Sequence, residues 1–358
     1  MSGHKLRQQV RYVTARDGVR LAWAESGSGP LVVKASNWLT HLEFERESPV
    51  WQHWLQFFSA HFRLVRYDER GCGMSGWREG DLGLEDWTRD LESVIEAARP
   101  EGPFTLFGVS QGSAACLLYA LRYPERVERL ILYGGYMRGA FHRGTAESRM
   151  TFQAMIDLAR AAWGSENATF RQVFTSRFIP GGTREQLDWF NELCLKSTTG
   201  EVAAKLLEAR GETLLAESLS GLRIPTLVLH SRYDEVVPVV EGQMLASQIP
   251  GAEFVELDSR NHVLLEHEPA WGRFCDAVLE FMKPQANTGG GDAFGALSLR
   301  ERQVLALIAD GFSNQQIAEQ LEISEKTVRN HASNVFDKLG VWSRAQAIVF
   351  AKDRGFSG

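Results

Sequence analysis

Phe104-Thr105-Leu106-Phe107-Gly108-Val109-Ser110-Gln111-Gly112 is a short apolar run that ends on a serine between two glycines. A helical pattern follows from residue 112 to 123, so the run reads as a buried strand turning sharply into a helix. Glycine at both flanks permits that turn, lifts the Ser110 hydroxyl above the sheet and leaves the next backbone N–H free. Ser110 is therefore a candidate nucleophile.

Working outward, further short apolar runs stand at residues 31–33, 63–67, 130–133, 226–229 and 254–257, separated by longer periodic segments such as 84–98. Buried strands alternating with helices define an α/β class with a mainly parallel sheet. Between residues 137 and 219 the alternation lapses into helical patterns, which predicts a helical insertion, a lid. Two chemistry-bearing residues directly follow later strand runs: Asp234 in Ser231-Arg232-Tyr233-Asp234, and His262 in Ser259-Arg260-Asn261-His262. The chain order Ser, Asp, His, with each residue at the carboxyl end of a strand, is that of a nucleophile with its orienting acid and general base. Ser110, Asp234 and His262 are the expected catalytic set.

Residues 10–283 thus resemble the α/β-hydrolase fold, and Asp68-Glu69-Arg70-Gly71-Cys72-Gly73-Met74-Ser75 resembles the D-x-R-G-x-G-x-S turn of that superfamily. The resemblance implies an oxyanion hole made by the amides of Gln111 and Asn37. Here the chain departs from many members, which carry a His-Gly where it has Val33-Lys34-Ala35-Ser36-Asn37-Trp38. Trp38, Phe141, Phe152, Trp163, Phe170 and Trp189 suggest an apolar pocket for a small, acyl-containing molecule.

A polar, Gly-rich run, Pro284-Gln285-Ala286-Asn287-Thr288-Gly289-Gly290-Gly291-Asp292, predicts a flexible linker over 284–296. Beyond it, Ser298, Ser313 and Ser324 each open a helical pattern, the first two with Glu301 and Gln316 three positions on, a capping box. With a fourth helix from Arg344, residues 297–358 form an all-α, four-helix domain. Its blocks, among them Leu297-Ser298-Leu299-Arg300-Glu301 and Ser324-Glu325-Lys326-Thr327-Val328-Arg329-Asn330-His331, resemble the LuxR-type, GerE-like DNA-binding domain nearly end to end.

On the third helix Val328, Ala332, Val335 and Leu339 make a buried stripe, leaving Lys326, Asn330 and Ser333 outward with Arg329 beside them, suited to base edges. Thr327, His331 and Lys338 are placed for phosphate contacts. Residues 297–358 carry eight basic and seven acidic residues, net +1, so the −7 balance of the 358-residue chain's overall −6 lies in the first domain. Any nucleic-acid site is therefore local.

Apolar residues at 44% and charged residues at 23% exclude a disordered or fibrous chain. Cys72, Cys116, Cys194 and Cys275 are widely spaced, with no metal-ligand spacing, and read as reduced thiols. Without an apolar h-region or a long apolar stretch, the expectation is a cytoplasmic protein that contacts no membrane and needs no metal or cofactor. The features together predict a transcriptional regulator that binds operator half-sites as a homodimer and senses a ligand in the hydrolase pocket. The alternatives are an ester or lactone hydrolase with a secondary DNA-binding module, and an interaction domain with a non-reactive pocket.

Overall fold

The computed structural model describes residues 8–80, 82–165, 169–283, 294, 297–339, 341, 344–353 and 356. The chain divides into two compact units, Met1–Phe281 and Met282–Gly358.

The first unit is built on eight strands: β1 (Gln9–Thr14), β2 (Arg20–Ser26), β3 (Leu31–Lys34), β4 (Arg63–Tyr67), β5 (Phe104–Val109), β6 (Val127–Tyr133), β7 (Thr226–Ser231) and β8 (Glu253–Leu257). They form one sheet in the order β1-β2-β4-β3-β5-β6-β7-β8. From β4 to β8 all neighbours are parallel, and β1 and β2 add an antiparallel edge. Every residue of β5 and β7 is buried, which is why these strands read as continuous apolar runs. The β1–β2 hairpin is an element the sequence reading lacked. It turns at Asp17-Gly18, where Gly18 adopts φ +91° and Asp17 accepts a hydrogen bond from the Val19 N–H.

Helices α1 (Gln52–His61), α2 (Leu84–Ala98) and α3 (Gly112–Arg122) follow β3, β4 and β5. On α2, Trp87, Leu91, Val94, Ile95 and Ala98 are buried, a stripe at helical spacing that packs α2 into the sheet core with Ala115, Leu118 and Tyr119 of α3. Between β6 and β7 the chain makes four helices, α4 (Ala146–Ala162), α5 (Thr169–Phe178), α6 (Arg184–Ser197) and α7 (Gly200–Glu212). Thr145, Thr183 and Thr199 accept hydrogen bonds from the first turns of α4, α6 and α7, which fixes where these three helices begin. Helices α8 (Val239–Gln248) and α9 (Pro269–Met282) complete the unit.

The second unit holds α10 (Leu299–Ala309), α11 (Asn314–Gln320), α12 (Glu325–Leu339) and α13 (Arg344–Asp353). Capping boxes form at Ser298–Glu301 and Ser313–Gln316. Val304, Leu305 and Ile308 of α10 meet Ile317, Val328, Ala332, Val335, Ala347 and Ala351 in one core. The expected linker, 284–296, lies outside the described residues except for Phe294. That residue is not linker-like: its ring is buried and packs on Phe350 and Phe356, with centroids 6.0 and 4.2 Å away.

Candidate functional site

Parallel strands point their carboxyl ends at one edge of the sheet, and there the loops after β3, β5, β7 and β8 converge. Ser110 occupies the β5–α3 turn with φ +54°, a left-handed backbone that a non-glycine residue adopts only under local constraint. Its N–H bonds to Tyr133 O at 2.9 Å, tying the turn to the end of β6. The glycines of the motif serve close approach. A Cβ at Gly108 would stand 2.6 Å from the Ser113 Cα, and one at Gly112 would stand 2.8 Å from the Ser36 carbonyl.

His262 donates from Nδ1 to Asp234 Oδ2 at 2.6 Å, with both side chains buried. The other Asp234 oxygen accepts from the Val236 and Val237 N–H groups at 2.8 and 2.9 Å. Burial pushes the Asp234 carboxyl up in pKa, but the adjacent His262 ring and its hydrogen bond outweigh this and hold it below the ordinary value. With Nδ1 donating, Nε2 of a neutral ring is the acceptor; that nitrogen is buried and has no hydrogen-bond partner. The Asp–His link is therefore closed and the Ser–His link is open, a link that in such sites often tightens only around substrate.

A second histidine, His230 at the end of β7, bonds through Nε2 to Val237 O at 2.8 Å and lies 3.8 Å from Asp234 Oδ2. Burial keeps its pKa below the ordinary histidine value, so it supports the Asp234 loop as a neutral ring.

Ser110 lines a pocket with Trp38, Tyr136, Phe152, Met155, Phe174, Phe178, Leu207, Val236 and Val237. Of the aromatics expected there, Trp38 and Phe152 take part. Trp163 is instead buried within the helical insertion, with its indole N–H on Cys194 and Thr198 carbonyls, Trp189 stacks on Phe44, and Phe170 is exposed. Gln111 and Asn37 are buried in the turns after β5 and β3. The Asn37 side chain pairs with Lys34, and it is Trp38, one residue on, that forms the pocket wall beside Ser110. With its amide oxygen toward them, Gln111 accepts from Trp38 N at 3.2 Å and Arg210 Nη2 at 3.1 Å.

Three arginines on the pocket wall, Arg143, Arg177 and Arg210, had no motif to announce them. Arg210 of α7 donates to both oxygens of buried Glu69 at 2.6 Å and lies over the Trp38 ring at 4.7 Å. Glu69 belongs to the turn after β4, where Arg70 pairs with Asp90 and Asp17, and Asp68 accepts from the Leu42 and Met74 N–H groups at 2.8 Å. That motif is thus a structural clamp whose one arm, Glu69, holds Arg210 of the pocket wall. The insertion also touches the histidine loop directly: Phe178 O accepts from the His262 and Val263 N–H groups at 2.8 and 3.2 Å.

On α12, Lys326, Arg329, Asn330 and Ser333 are exposed, opposite buried Val328, Ala332 and Val335; Thr327 and His331 are half-buried. Two of the expected contacts are already engaged. Arg329 pairs with Glu325 at 2.9 Å, and Lys338 pairs with Glu301 at 2.7 Å. Thr327 shares a 2.7 Å hydroxyl contact with Ser324 at the start of the helix.

Sheet order, strand-end site and helical domain define an α/β-hydrolase domain joined to a LuxR-type DNA-binding helix-turn-helix. Comparison with known proteins names the families: residues 51–270 match the model described as "Serine aminopeptidase, S33", and residues 295–351 match "Bacterial regulatory proteins, luxR family". The chain belongs to the first of these families and carries the second as its C-terminal domain.

It is similar to pyrrolizixenacetamide deacetylase of Xenorhabdus hominickii, at 24% identity over 69% of this chain and 90% of that protein. The transcriptional regulatory protein DegU of Brevibacillus brevis is 50% identical over 60 residues, 17% of this chain and 25% of its own length. A hydrolase structure from Pseudomonas aeruginosa superposes with a TM-score of 0.64 at 25% identity, covering 77% of this chain and 99% of that one. Among the described residues no helix is long and apolar enough to cross a membrane.

Proposed function

We propose that this protein is a cytoplasmic transcriptional regulator whose hydrolase domain takes a small acyl-containing molecule into the pocket over Ser110, and whose helix-turn-helix domain binds operator half-sites as a homodimer. The observation that carries the reading is the Asp234–His262 pair with its open Nε2, in a chain that also bears a LuxR-type domain. In this reading Ser110 Oγ bonds to the acyl carbon while its proton passes to His262 Nε2, and Asp234 holds the ring in the required tautomer. The Gln111 and Asn37 N–H groups face the developing oxyanion.

Occupancy reaches the rest of the domain through the insertion, because the carbonyl of Phe178 at the end of α5 holds the backbone of the histidine loop. Such a ligand alters DNA affinity only if it binds the competent and incompetent dimer arrangements unequally. On DNA, Lys326, Arg329, Asn330 and Ser333 read base edges in the major groove, and Thr327, His331 and Lys338 contact phosphates, Lys338 by exchanging its Glu301 partner. One helix-turn-helix covers too little DNA for strong specificity, hence two copies on paired half-sites.

A serine-directed fluorophosphonate is expected to label the full-length protein and not Ser110→Ala. Duplexes selected from a random library should carry two half-sites and bind a dimer in analytical ultracentrifugation. Failure to label Ser110 overturns the reactive pocket, and a monomer on the selected duplex overturns the dimer.

A further inference from the structure

We propose, resting on the reading of Ser110 as nucleophile, that this pocket takes acyl compounds whose tail ends in a carboxylate, held by Arg143 and Arg177. Of the three guanidinium groups on the pocket wall, Arg210 alone has a carboxylate, Glu69, against it among the described residues. Arg143 donates from Nη2 to Val236 O at 3.1 Å and lies over the Tyr136 ring at 4.6 Å, while its Nη1 is shielded from solvent without a hydrogen-bond partner. Arg177 donates to the Glu235 carbonyl at 2.6 Å and to Met155 Sδ at 3.0 Å.

Neither has a carboxylate partner among the described residues. Two carboxylates send their charge to Arg143 without pairing with it: Glu241 gives Oε1 to Arg138 at 2.9 Å and leaves Oε2 buried without a partner, and Asp234 holds His262. A shielded guanidinium nitrogen without an acceptor is costly, and a planar carboxylate is the group that the guanidinium fork matches. Phe152, Met155, Phe174 and Leu207 supply the apolar wall for the chain between the two ends.

Two alkyl fluorophosphonates of equal chain length, one ending in methyl and one in carboxylate, test this on the full-length protein. In each, the Ser110 oxygen bonds to phosphorus, fluoride leaves with the P–F electron pair, and the hydroxyl proton passes to His262. Wild type should be labelled about tenfold faster by the carboxylate reagent at low salt. That ratio should fall to about one in R143Q/R177Q and persist in R143K/R177K, which keeps both charges. Comparing the two reagents within one protein cancels any change in Ser110 reactivity, and thermal melting establishes that each variant is folded. A wild-type ratio near one, or a ratio that R143Q/R177Q leaves intact, overturns the carboxylate proposal while the Ser110 reading stands. Absence of labelling by both reagents overturns that reading and the proposal with it.

Discussion

The sheet domain and the helical domain place their functional side chains in opposite ways. In the first, partners come from far apart in the chain and are sealed from water: His262 meets Asp234 across 28 positions and Arg210 meets Glu69 across 141. In the second, the outward groups from 326 to 333 stand on one helix and most face solvent. Burial makes each polar group depend on its partner, whereas exposure leaves each nearly independent and screened by salt. The largest consequences of substitution therefore belong to the sheet domain.

Asp234→Asn should give the largest effect. The amide nitrogen cannot accept from His262 Nδ1–H, so the ring loses the tautomer that leaves Nε2 open, and labelling of Ser110 by a fluorophosphonate should slow about 10³–10⁴-fold. Affinity for a selected duplex, measured by fluorescence anisotropy without ligand, should stay within about twofold, since a difference of that size is only a few tenths of a kcal/mol. A parallel loss of DNA binding would break the comparison by making the two halves one cooperative unit.

Next in size is the Glu69–Arg210 pair. Removing one member leaves a buried charge unmatched, so Glu69→Leu and Arg210→Met should each destabilise the sheet domain by about 3–5 kcal/mol, and E69L/R210M together by much less than the sum. Urea unfolding of the four proteins measures the cycle. Additive losses would show that each side chain acts alone.

The same contrast explains what the sequence made legible. Strands β3 to β7 were visible because buried strands are apolar on both faces, and the half-buried edge strand β8 through its apolar Phe254, Val255 and Leu257; the Ser, Asp and His positions were visible because each directly follows such a run. β1 escaped because its residues are exposed or half-buried, and its remaining signal was the Asp17-Gly18 turn into β2. Arg143, Arg177 and Arg210 could not be read, since an amphipathic helix or a loop does not disclose which distant strand end it will cover. In the helical domain caps, stripe and outward face are set by neighbours within a few turns, so most of it was legible. Lys338 was the exception, because Glu301 lies 37 positions away.

Within the helical domain the effects are smaller and separable. Arg329→Ala and Asn330→Ala should each lose about 1–3 kcal/mol on the selected duplex and little on a scrambled one. Arg329 must exchange its Glu325 partner for the base, so Glu325→Gln should tighten binding to both duplexes slightly. Lys338→Ala is the sharper test of placement. A phosphate contact would show as a drop of about one in the slope of log affinity against log salt, equal for both duplexes. Anisotropy titrations across salt decide it, and an unchanged slope would confine Lys338 to its pairing with Glu301.

The smallest effect concerns that pairing. The Lys338 ammonium, followed by the Ser298 N–H, holds the Glu301 carboxyl down at about 2 from its ordinary 4.5. A carboxyl depressed in the folded state stabilises fully above its unfolded pKa and progressively less as pH falls from there toward about 2. Acidification across that window should therefore loosen the α10–α12 packing while neutral pH leaves it intact. Lys338 is 40% exposed, so solvent screens the pair and its share is about 0.5–1 kcal/mol at low salt. Hydrogen exchange of the α12 amides in the full-length protein reads this locally. Protection should decline between about pH 4.5 and 2 in the wild type and much less in Glu301→Gln, whose amide oxygen still accepts from the Ser298 N–H. An identical acid profile in the two proteins would mean that the capping bond alone carries the stability. Lys338 would then be as independent as the other exposed side chains of its helix.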